Sequence, residues 1–146
     1  MFSSDISIRK IYCRLLFKLE EKNLFPDGYF KKENILYYFE KKETKKQFII
    51  VNIKDSIHFK YIHDKENNYS LYKKYIDLSD QKDHSIKNFD NLIRDFQYKE
   101  LLSNPVKLKE VRFKVKKYYL IDDGLHRLSI LFNQNKKLKK ELYSLS

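Results

Sequence analysis

The junction around Gly124 constrains the fold of this chain more than any other feature of the sequence. Residues 118–121 (YYLI) predict a strand, and residues 126–132 predict a helix. Only residues 122–125 separate the two. A glycine in so short a link permits a backbone conformation with positive φ. We therefore expect a strand that turns directly into a helix, as is typical of α/β folds.

The surrounding sequence adds further elements of both kinds. Residues 47–53 and 106–111 are rich in β-branched residues and predict two more strands. Residues 85–96 place their apolar side chains on one helical face, and residues 54–76 suggest a loop, a short helix and another loop. Together these elements predict an α/β domain over residues 45–146, with a compact mixed sheet flanked by helices.

The first part of the chain has a different pattern. The apolar residues of segments 8–22 and 32–42 follow helical spacing, and polar or turn-forming residues end both runs. We therefore expect residues 1–44 to form a helical N-terminal extension that packs on the α/β domain.

The charge of the chain allows two interpretations. Lysine and arginine total 31 against 20 acidic residues, which gives a formal net charge of +11. Such an excess attracts anionic partners. The abundance of Lys, Asn, Ile, Tyr and Phe is also typical of chains whose genes are rich in adenine and thymine. Because the lysines are spread along the chain, nucleic-acid binding receives no specific support from the charge.

The cysteine count and the hydropathy bear on the compartment. Cys13 is the single cysteine and cannot form an internal disulfide, which is typical of a reducing compartment. No apolar run approaches the about 18 residues of a transmembrane helix, and the N-terminal residues lack the uninterrupted apolar core of a signal peptide. We expect a cytoplasmic protein without a membrane span; the sequence does not predict its oligomeric state.

The Gly124 turn carries residue types that bind phosphate. The first backbone N–H groups of a helix attract anions, and a glycine beside them allows the anion to approach closely. Arg127 adds a guanidinium fork that matches phosphate oxygens, and His126 adds a further donor. Gly124, Leu125, His126 and Arg127 are thus the candidate phosphate-binding residues. Asp122 or Asp123 is the candidate Mg²⁺ ligand or base, and Asp123 could instead cap the helix.

The run Asp123-Gly124-Leu125-His126-Arg127, placed between an apolar strand and a helix, resembles the signature of the ParB/sulfiredoxin superfamily. The resemblance covers residues 48–132. It implies a ParB/sulfiredoxin-like fold in which the turn binds the phosphates of ATP or another nucleotide. Activities in the superfamily range over CTP-dependent clamps, sulfinic-acid reduction, nuclease-like proteins and phosphorylation of free serine, so the fold alone leaves the reaction open.

Departures from the superfamily pattern narrow the choice of reaction. Leu125 occupies the position where sulfiredoxin-like enzymes carry a catalytic cysteine, which argues against sulfinic-acid reduction. The Gly-Leu-His-Arg sequence also differs from the Glu-Arg-Arg turn of the partition clamps. The Asp-Gly-x-His-Arg form looks like the kinase-like branch, which transfers phosphate to a small hydroxylated molecule.

Four further residues are candidates for the site. Asp55 follows a predicted strand and is a candidate base for phosphoryl transfer. His58 is either a catalytic residue in the ligand crevice or a buried structural histidine. His84 and Ser85 either contact the substrate or cap the following helix. The order Ser-x-His, tyrosine-rich segment, His-Ser looks like that of ParB-like proteins associated with bacterial surface-polysaccharide gene clusters.

These resemblances together imply a kinase that uses a nucleotide and Mg²⁺ to phosphorylate a small hydroxylated acceptor, with surface-polysaccharide biosynthesis as the implied process. The alternative is a non-catalytic ParB-like module that binds nucleotide or DNA through the same turn. A third interpretation is a degenerate member of the superfamily in which the turn serves folding only.

Overall fold

The computed structural model describes residues 5–18, 30–41, 43–78, 86–135 and 137–146. Its strands are β1 (Ile6–Ser7), β2 (Ile11–Lys18), β3 (Ile35–Lys41), β4 (Lys46–Asn52), β5 (Val106–Phe113), β6 (Lys116–Asp123), β7 (Lys137–Leu138) and β8 (Tyr143–Leu145). Its α-helices are α1 (Ile57–His63), α2 (Lys65–Leu78), α3 (Ile86–Asp95), α4 (Tyr98–Ser103) and α5 (Leu125–Phe132). Short 3₁₀ turns cover Ile8–Lys10, Lys32–Asn34, Ile53–Asp55 and Lys140–Leu142.

Six strands form one mixed sheet in the order β3-β4-β2-β6-β5-β8. Strand β2 lies inside the sheet, where it pairs antiparallel with β4 and parallel with β6. Strands β5 and β6 form a hairpin, and β8 adds to β5 in parallel. Strands β1 and β7 form a separate two-stranded ribbon. The structure therefore confirms the α/β class with a mixed sheet flanked by helices.

The two faces of this sheet differ in burial. On one face, Ile11 and Leu15 of β2 lie beside Ile49 and Val51 of β4, and all four are buried in the core with residues of the helices. Side chains alternate between faces along a strand, so their neighbours point the other way. We call this opposite side the open face. Its side chains are half-buried or exposed: Tyr12, Arg14, Leu16, Phe48, Ile50, Val111, Phe113, Tyr118 and Leu120.

The predicted helical N-terminal extension is wrong in the described residues, because β2 and β3 are strands of the main sheet. The physical reason is the position of β2 inside the sheet, where both of its faces contact apolar neighbours. Ile11 and Leu15 face the core, while Tyr12 and Leu16 lie on the open face. An apolar residue on each face gives the spacing i, i+1, i+4, i+5, which is also the spacing of a helix.

The elements around the turn follow the sequence prediction more closely. The predicted strands correspond to β4, β5 and β6, and the helices predicted over residues 85–96 and 126–132 correspond to α3 and α5. The prediction for residues 54–76 is wrong in part, since the polar segment after Asp64 forms the first turns of α2 rather than a loop. Tyr72 and Tyr75 are buried one turn apart on this helix, and their packing stabilises a segment whose exposed side is polar.

None of the helices in the described residues is both long enough and apolar enough to span a bilayer.

Neighbouring leucines on β2 test the strand assignment. We expect Leu15→Ala to lower the free energy of unfolding by about 2–5 kcal/mol, because Leu15 is fully buried. Leu16→Ala should cost less than about 1 kcal/mol, since Leu16 is half-buried on the open face. Urea unfolding followed by circular dichroism measures both values. Equal losses would contradict the strand, because a helix would place both leucines on its apolar face.

Candidate functional site

Gly124 makes the turn between β6 and α5 with a conformation that other residues rarely adopt. Its φ is 120° and its ψ is 21°. A Cβ atom built at this position would lie 2.9 Å from Cβ of Val106 and closer still to Cγ1 of that residue. Both the positive φ and the contact with β5 therefore require glycine. The positive φ predicted from the sequence is confirmed.

Helix α5 begins without a capping side chain. Gly124 occupies the cap position, and its carbonyl oxygen accepts the first helical hydrogen bond from the backbone N–H of Leu128 at 2.9 Å. A glycine has no side-chain oxygen for the first-turn N–H groups, and Asp123 makes no capping hydrogen bond in its place. The positive end of the helix is thus available for an external anion.

Arg127 links the Gly124 turn to the segment between α4 and β5. Its side chain is only 15% exposed, and its Nη1 donates a hydrogen bond to the carbonyl oxygen of Asn104, just before β5. Its Nη2 lies 3.7 Å from Oδ2 of Asp123. Two directions of the guanidinium are therefore used within the protein, and a guanidinium has five N–H donors. Arg127 supports the turn and also lines the pocket beside it.

Two pockets share this turn. The helix-side pocket has a volume of about 270 Å³ and is lined by Asn88, Phe89, Leu92, Asp123, Gly124, Leu125, His126 and Arg127. The sheet-side pocket has a volume of about 280 Å³ and is lined by Arg14, Leu16, Phe48, Ile121, Asp122, Asp123, Gly124, Leu125 and His126. Four consecutive residues, from Asp123 to His126, line both. A group bound at the turn would thus be reached from two sides.

The charges around the turn nearly cancel. Arg14 and Arg127 supply two positive charges, and Asp122 and Asp123 supply two negative ones. A polyphosphate bound here would need an additional cation to offset its charge. The carboxylate of Asp123 is 64% exposed and lines both pockets, so its oxygens suit Mg²⁺ that is also held by phosphates. In the described part of the chain, no group of three or more His, Cys, Asp or Glu side chains is placed to hold a metal ion by itself.

His58 lies in the core rather than in either pocket. It is fully buried, and its ring meets four other rings edge-on at centroid distances of 4.7–6.0 Å: His126, Tyr72, Tyr75 and Phe89. The His126 ring also contacts Phe89, at a centroid distance of 4.9 Å, so that His58, Phe89 and His126 form one cluster. The structure therefore places His58 behind His126, where it fixes the orientation of a ring that lines both pockets.

Asp55, unlike the residues of the Gly124 turn, lies away from the two pockets. Asp55 lines neither pocket, and its carboxylate lies near Tyr12 and Cys13 of β2. Burial, and to a smaller extent the Asp55 charge, raises the pKa of the Cys13 thiol above its usual range. The expectation that Asp55 acts as base beside the turn thus finds no support in the geometry. His84 and Ser85 lie outside the described residues.

Sequence patterns missed the residues that other elements contribute to these pockets. Arg14 and Phe48 belong to neighbouring strands of the sheet, and the Arg14 guanidinium lies 5.5 Å from the centre of the Phe48 ring. Asn88 belongs to α3. An alternating pattern in β2 would have placed Arg14 on the open face, but the helical interpretation of that segment concealed it.

In comparisons with protein-family models, curated proteins and solved structures, no family model, curated protein or solved structure matches this chain. The resemblance to the ParB/sulfiredoxin superfamily therefore stays a prediction.

The contact between Gly124 and Val106 can be tested by a double-mutant cycle. We expect Gly124→Ala to lower the free energy of unfolding by about 2 kcal/mol or more, through backbone strain and overpacking. In a Val106→Ala background the same substitution should cost less, because the closest contact, with Cγ1 of Val106, is removed while the contact with Cβ and the strain at φ 120° remain. Denaturant unfolding of the four proteins gives the coupling energy. Additive losses would show that Val106 does not limit the space at Gly124.

The burial of Tyr72 predicts how the free energy of unfolding changes at alkaline pH. Burial raises the pKa of Tyr72 above its usual value of 10.0. Unfolded Tyr72 thus loses its proton near pH 10, while the folded form keeps it. The stabilisation is present below pH 10 and falls at about 1.4 kcal/mol per pH unit above it. Tyr72→Phe should make the fall in unfolding free energy between pH 10 and 11 shallower by about 1 kcal/mol, because unfolded Tyr72 is still half protonated at pH 10. Tyr69→Phe is the control, since the Tyr69 side chain is 48% exposed.

Proposed function

We propose that this protein is a nucleotide-dependent phosphotransferase that phosphorylates a small hydroxylated acceptor at the Gly124 turn. The observation that carries the proposal is the pair of pockets that share the residues from Asp123 to His126. A transfer reaction needs two substrates that meet at the transferred group, and two pockets that share one anion-binding turn provide such a meeting point.

The turn supplies the phosphate site. The uncapped start of α5 presents backbone N–H groups and the positive end of the helix. Gly124 allows a close approach, and His126 and Arg127 add side-chain donors. Leu125 contributes its backbone N–H and lines both pockets. These groups would stabilise the charge on the equatorial oxygens of a phosphoryl group in transfer.

The two pockets differ in a way that suggests which substrate each takes. The helix-side pocket has apolar surface from Phe89 and Leu92 and a polar amide from Asn88, which suit a nucleoside. Its volume of about 270 Å³ holds the phosphates with part of the nucleoside. The sheet-side pocket carries Arg14 and Asp122 beside the aromatic ring of Phe48, which suit a polar, hydroxylated acceptor.

The chemical step follows from these positions. The hydroxyl oxygen of the acceptor attacks the terminal phosphorus, and the bond between this phosphorus and the bridging oxygen breaks, so that the nucleotide leaves one phosphate shorter. Asp122, which lines only the sheet-side pocket, takes the hydroxyl proton. Asp123 would hold Mg²⁺, which would neutralise phosphate charge. Asp122, and not Asp55, is the proposed base, because Asp122 lines the sheet-side pocket and Asp55 does not.

The resemblance to the kinase-like branch of the ParB/sulfiredoxin superfamily points to the same reaction. The second resemblance, through Ser56 and His58, suggests acceptors from surface-polysaccharide biosynthesis. We also infer a cytoplasmic location, where nucleotides and Mg²⁺ are abundant and where the buried thiol of Cys13 stays reduced.

Nucleotide binding can be tested through thermal stability. We expect ATP, ADP, CTP or GTP with Mg²⁺ to raise the melting temperature, since a ligand at 100 times its Kd adds about 2.7 kcal/mol. Asp123→Asn should remove the part of the shift that depends on Mg²⁺ while the nucleotide alone still binds. Asp77→Asn, an exposed position on α2, is the matched control. If no nucleotide stabilises the wild-type protein, the proposed nucleotide site is wrong.

Catalysis requires a separate measurement. Incubation with radiolabelled nucleotide, Mg²⁺ and a panel of monosaccharides and free serine should yield a phosphorylated acceptor. We expect Asp122→Asn to lower kcat by about 100-fold or more, the usual contribution of a general base, with the nucleotide-induced thermal shift unchanged. Nucleotide binding without transfer to any acceptor would contradict the phosphotransferase and favour a non-catalytic nucleotide-binding module.

A further inference from the structure

A third pocket lies on the open face, away from the Gly124 turn. We call it the aromatic pocket; it has a volume of about 340 Å³ and is lined by Tyr12, Glu33, Asn34, Ile35, Leu36, Phe113, Lys114, Lys116 and Tyr118. It is located where β5 ends and β6 begins, whereas the turn follows the other end of β6. The phosphotransferase proposed above does not use this pocket.

Aromatic rings form much of its wall. Tyr12 and Tyr118 meet edge-on with ring centroids 4.9 Å apart, and Tyr37 meets Phe113 edge-on at 6.2 Å beside the pocket. The rings of Tyr12, Phe113 and Tyr118 are only partly buried although they lie on strands of the central sheet. Fixed and partly exposed rings in a concavity offer surfaces on which a flat ligand can stack.

The hairpin tip between β5 and β6 places a lysine over one of these rings. Lys114 has φ 50° and Val115 has φ 69°, a conformation for which glycine or asparagine is preferred. Val115 is 97% exposed, so no packing of its side chain compensates the strain. The Lys114 Nζ lies 5.5 Å from the centre of the Phe113 ring. The tip of the hairpin thus holds Lys114 at the edge of the pocket.

The charges of the aromatic pocket favour an anion. Lys114 and Lys116 line it against one carboxylate, Glu33, and both lysines are exposed. The chain as a whole carries a net charge of +11, which attracts a polyanion over a longer range. The ligand should therefore combine flat aromatic groups with repeated negative charges.

We propose that the aromatic pocket binds single-stranded nucleic acid. Bases stack on the rings of Tyr12, Phe113 and Tyr118, and Lys114 and Lys116 contact backbone phosphates. A duplex does not fit this arrangement, because its bases are already stacked on one another and its edges do not offer a flat face. The Asn34 amide and the Glu33 carboxylate line the same pocket and can hydrogen-bond to base edges. This activity is independent of the reaction at the Gly124 turn.

Fluorescence anisotropy of a labelled thymidine 12-mer tests the phosphate contacts. The wild-type protein should bind at low salt, with log K falling linearly with log salt concentration. Lys114→Gln combined with Lys116→Gln should reduce the magnitude of that slope by about 1.4, since each phosphate contact on a single strand contributes about 0.7. Lys73→Gln combined with Lys74→Gln is the matched control, because these lysines are exposed on α2 and do not line the pocket.

A tryptophan reporter tests stacking at the proposed place. The chain has no tryptophan, so Phe113→Trp introduces a single one into the pocket. Its fluorescence should be quenched when the oligonucleotide binds, while Tyr69→Trp on the exposed side of α2 should not respond. Phe113→Leu should weaken binding of the same 12-mer by about fivefold or more through the loss of one stacking ring.

Several results would overturn the proposal. One is the absence of oligonucleotide binding at low salt, and another is binding of a duplex as tightly as the single strand with no effect of Phe113→Leu. Complete displacement of the 12-mer by a low concentration of ATP with Mg²⁺, together with an unchanged salt slope in the Lys114 and Lys116 variant, would place the nucleic acid at the Gly124 turn instead.

Discussion

The parallel pairing of β2 with β6 is the contact on which the rest of the structure depends. It joins the β3-β4-β2 half of the sheet to the β6-β5-β8 half, and through β6 it joins both to α5. Residues of β2 contribute to the core on one face and to two pockets on the other, through Tyr12 in the aromatic pocket and Arg14 in the sheet-side pocket. Both proposed ligand sites on the open face thus depend on a strand near the start of the chain.

The sequence predicted those parts of the fold that local patterns specify. Strand β4, the hairpin strands and helices α3 and α5 each carry their own periodicity, and Gly124 marks the link between β6 and α5. The prediction for segment 11–18 was wrong because the apolar residues of this segment fit the spacing of a helix and that of a strand with two apolar faces. The choice between them is made by β4 and β6, which pair with it over long sequence distances. Such tertiary pairing overrides local spacing and leaves no signal within the segment itself.

The candidate site shows the same division between local and distant contributions. The residues of the turn are consecutive in the sequence, so they could be identified as one group before the fold was known: Gly124, Leu125, His126 and Arg127. The groups that shape their surroundings come from elsewhere: Val106 requires a residue without a side chain at 124, and the Asn104 carbonyl holds Arg127. The sequence left open whether His58 is a catalytic or a buried structural histidine, and its burial against the ring of His126 favours the structural role.

The order of the strands also affects how the chain reaches this structure. Ile11 pairs with Tyr119, so the central sheet joins two segments from nearly opposite ends of the sequence. Closing so long a loop costs conformational entropy before the contact stabilises the protein, and chains dominated by such pairings fold slowly. During synthesis β2 is made before β6, so the edge of β2 that pairs with β6 has no partner at first. The newly made N-terminal half should therefore expose an unpaired strand edge that chaperones recognise, until the Gly124 turn has emerged and β6 completes the sheet.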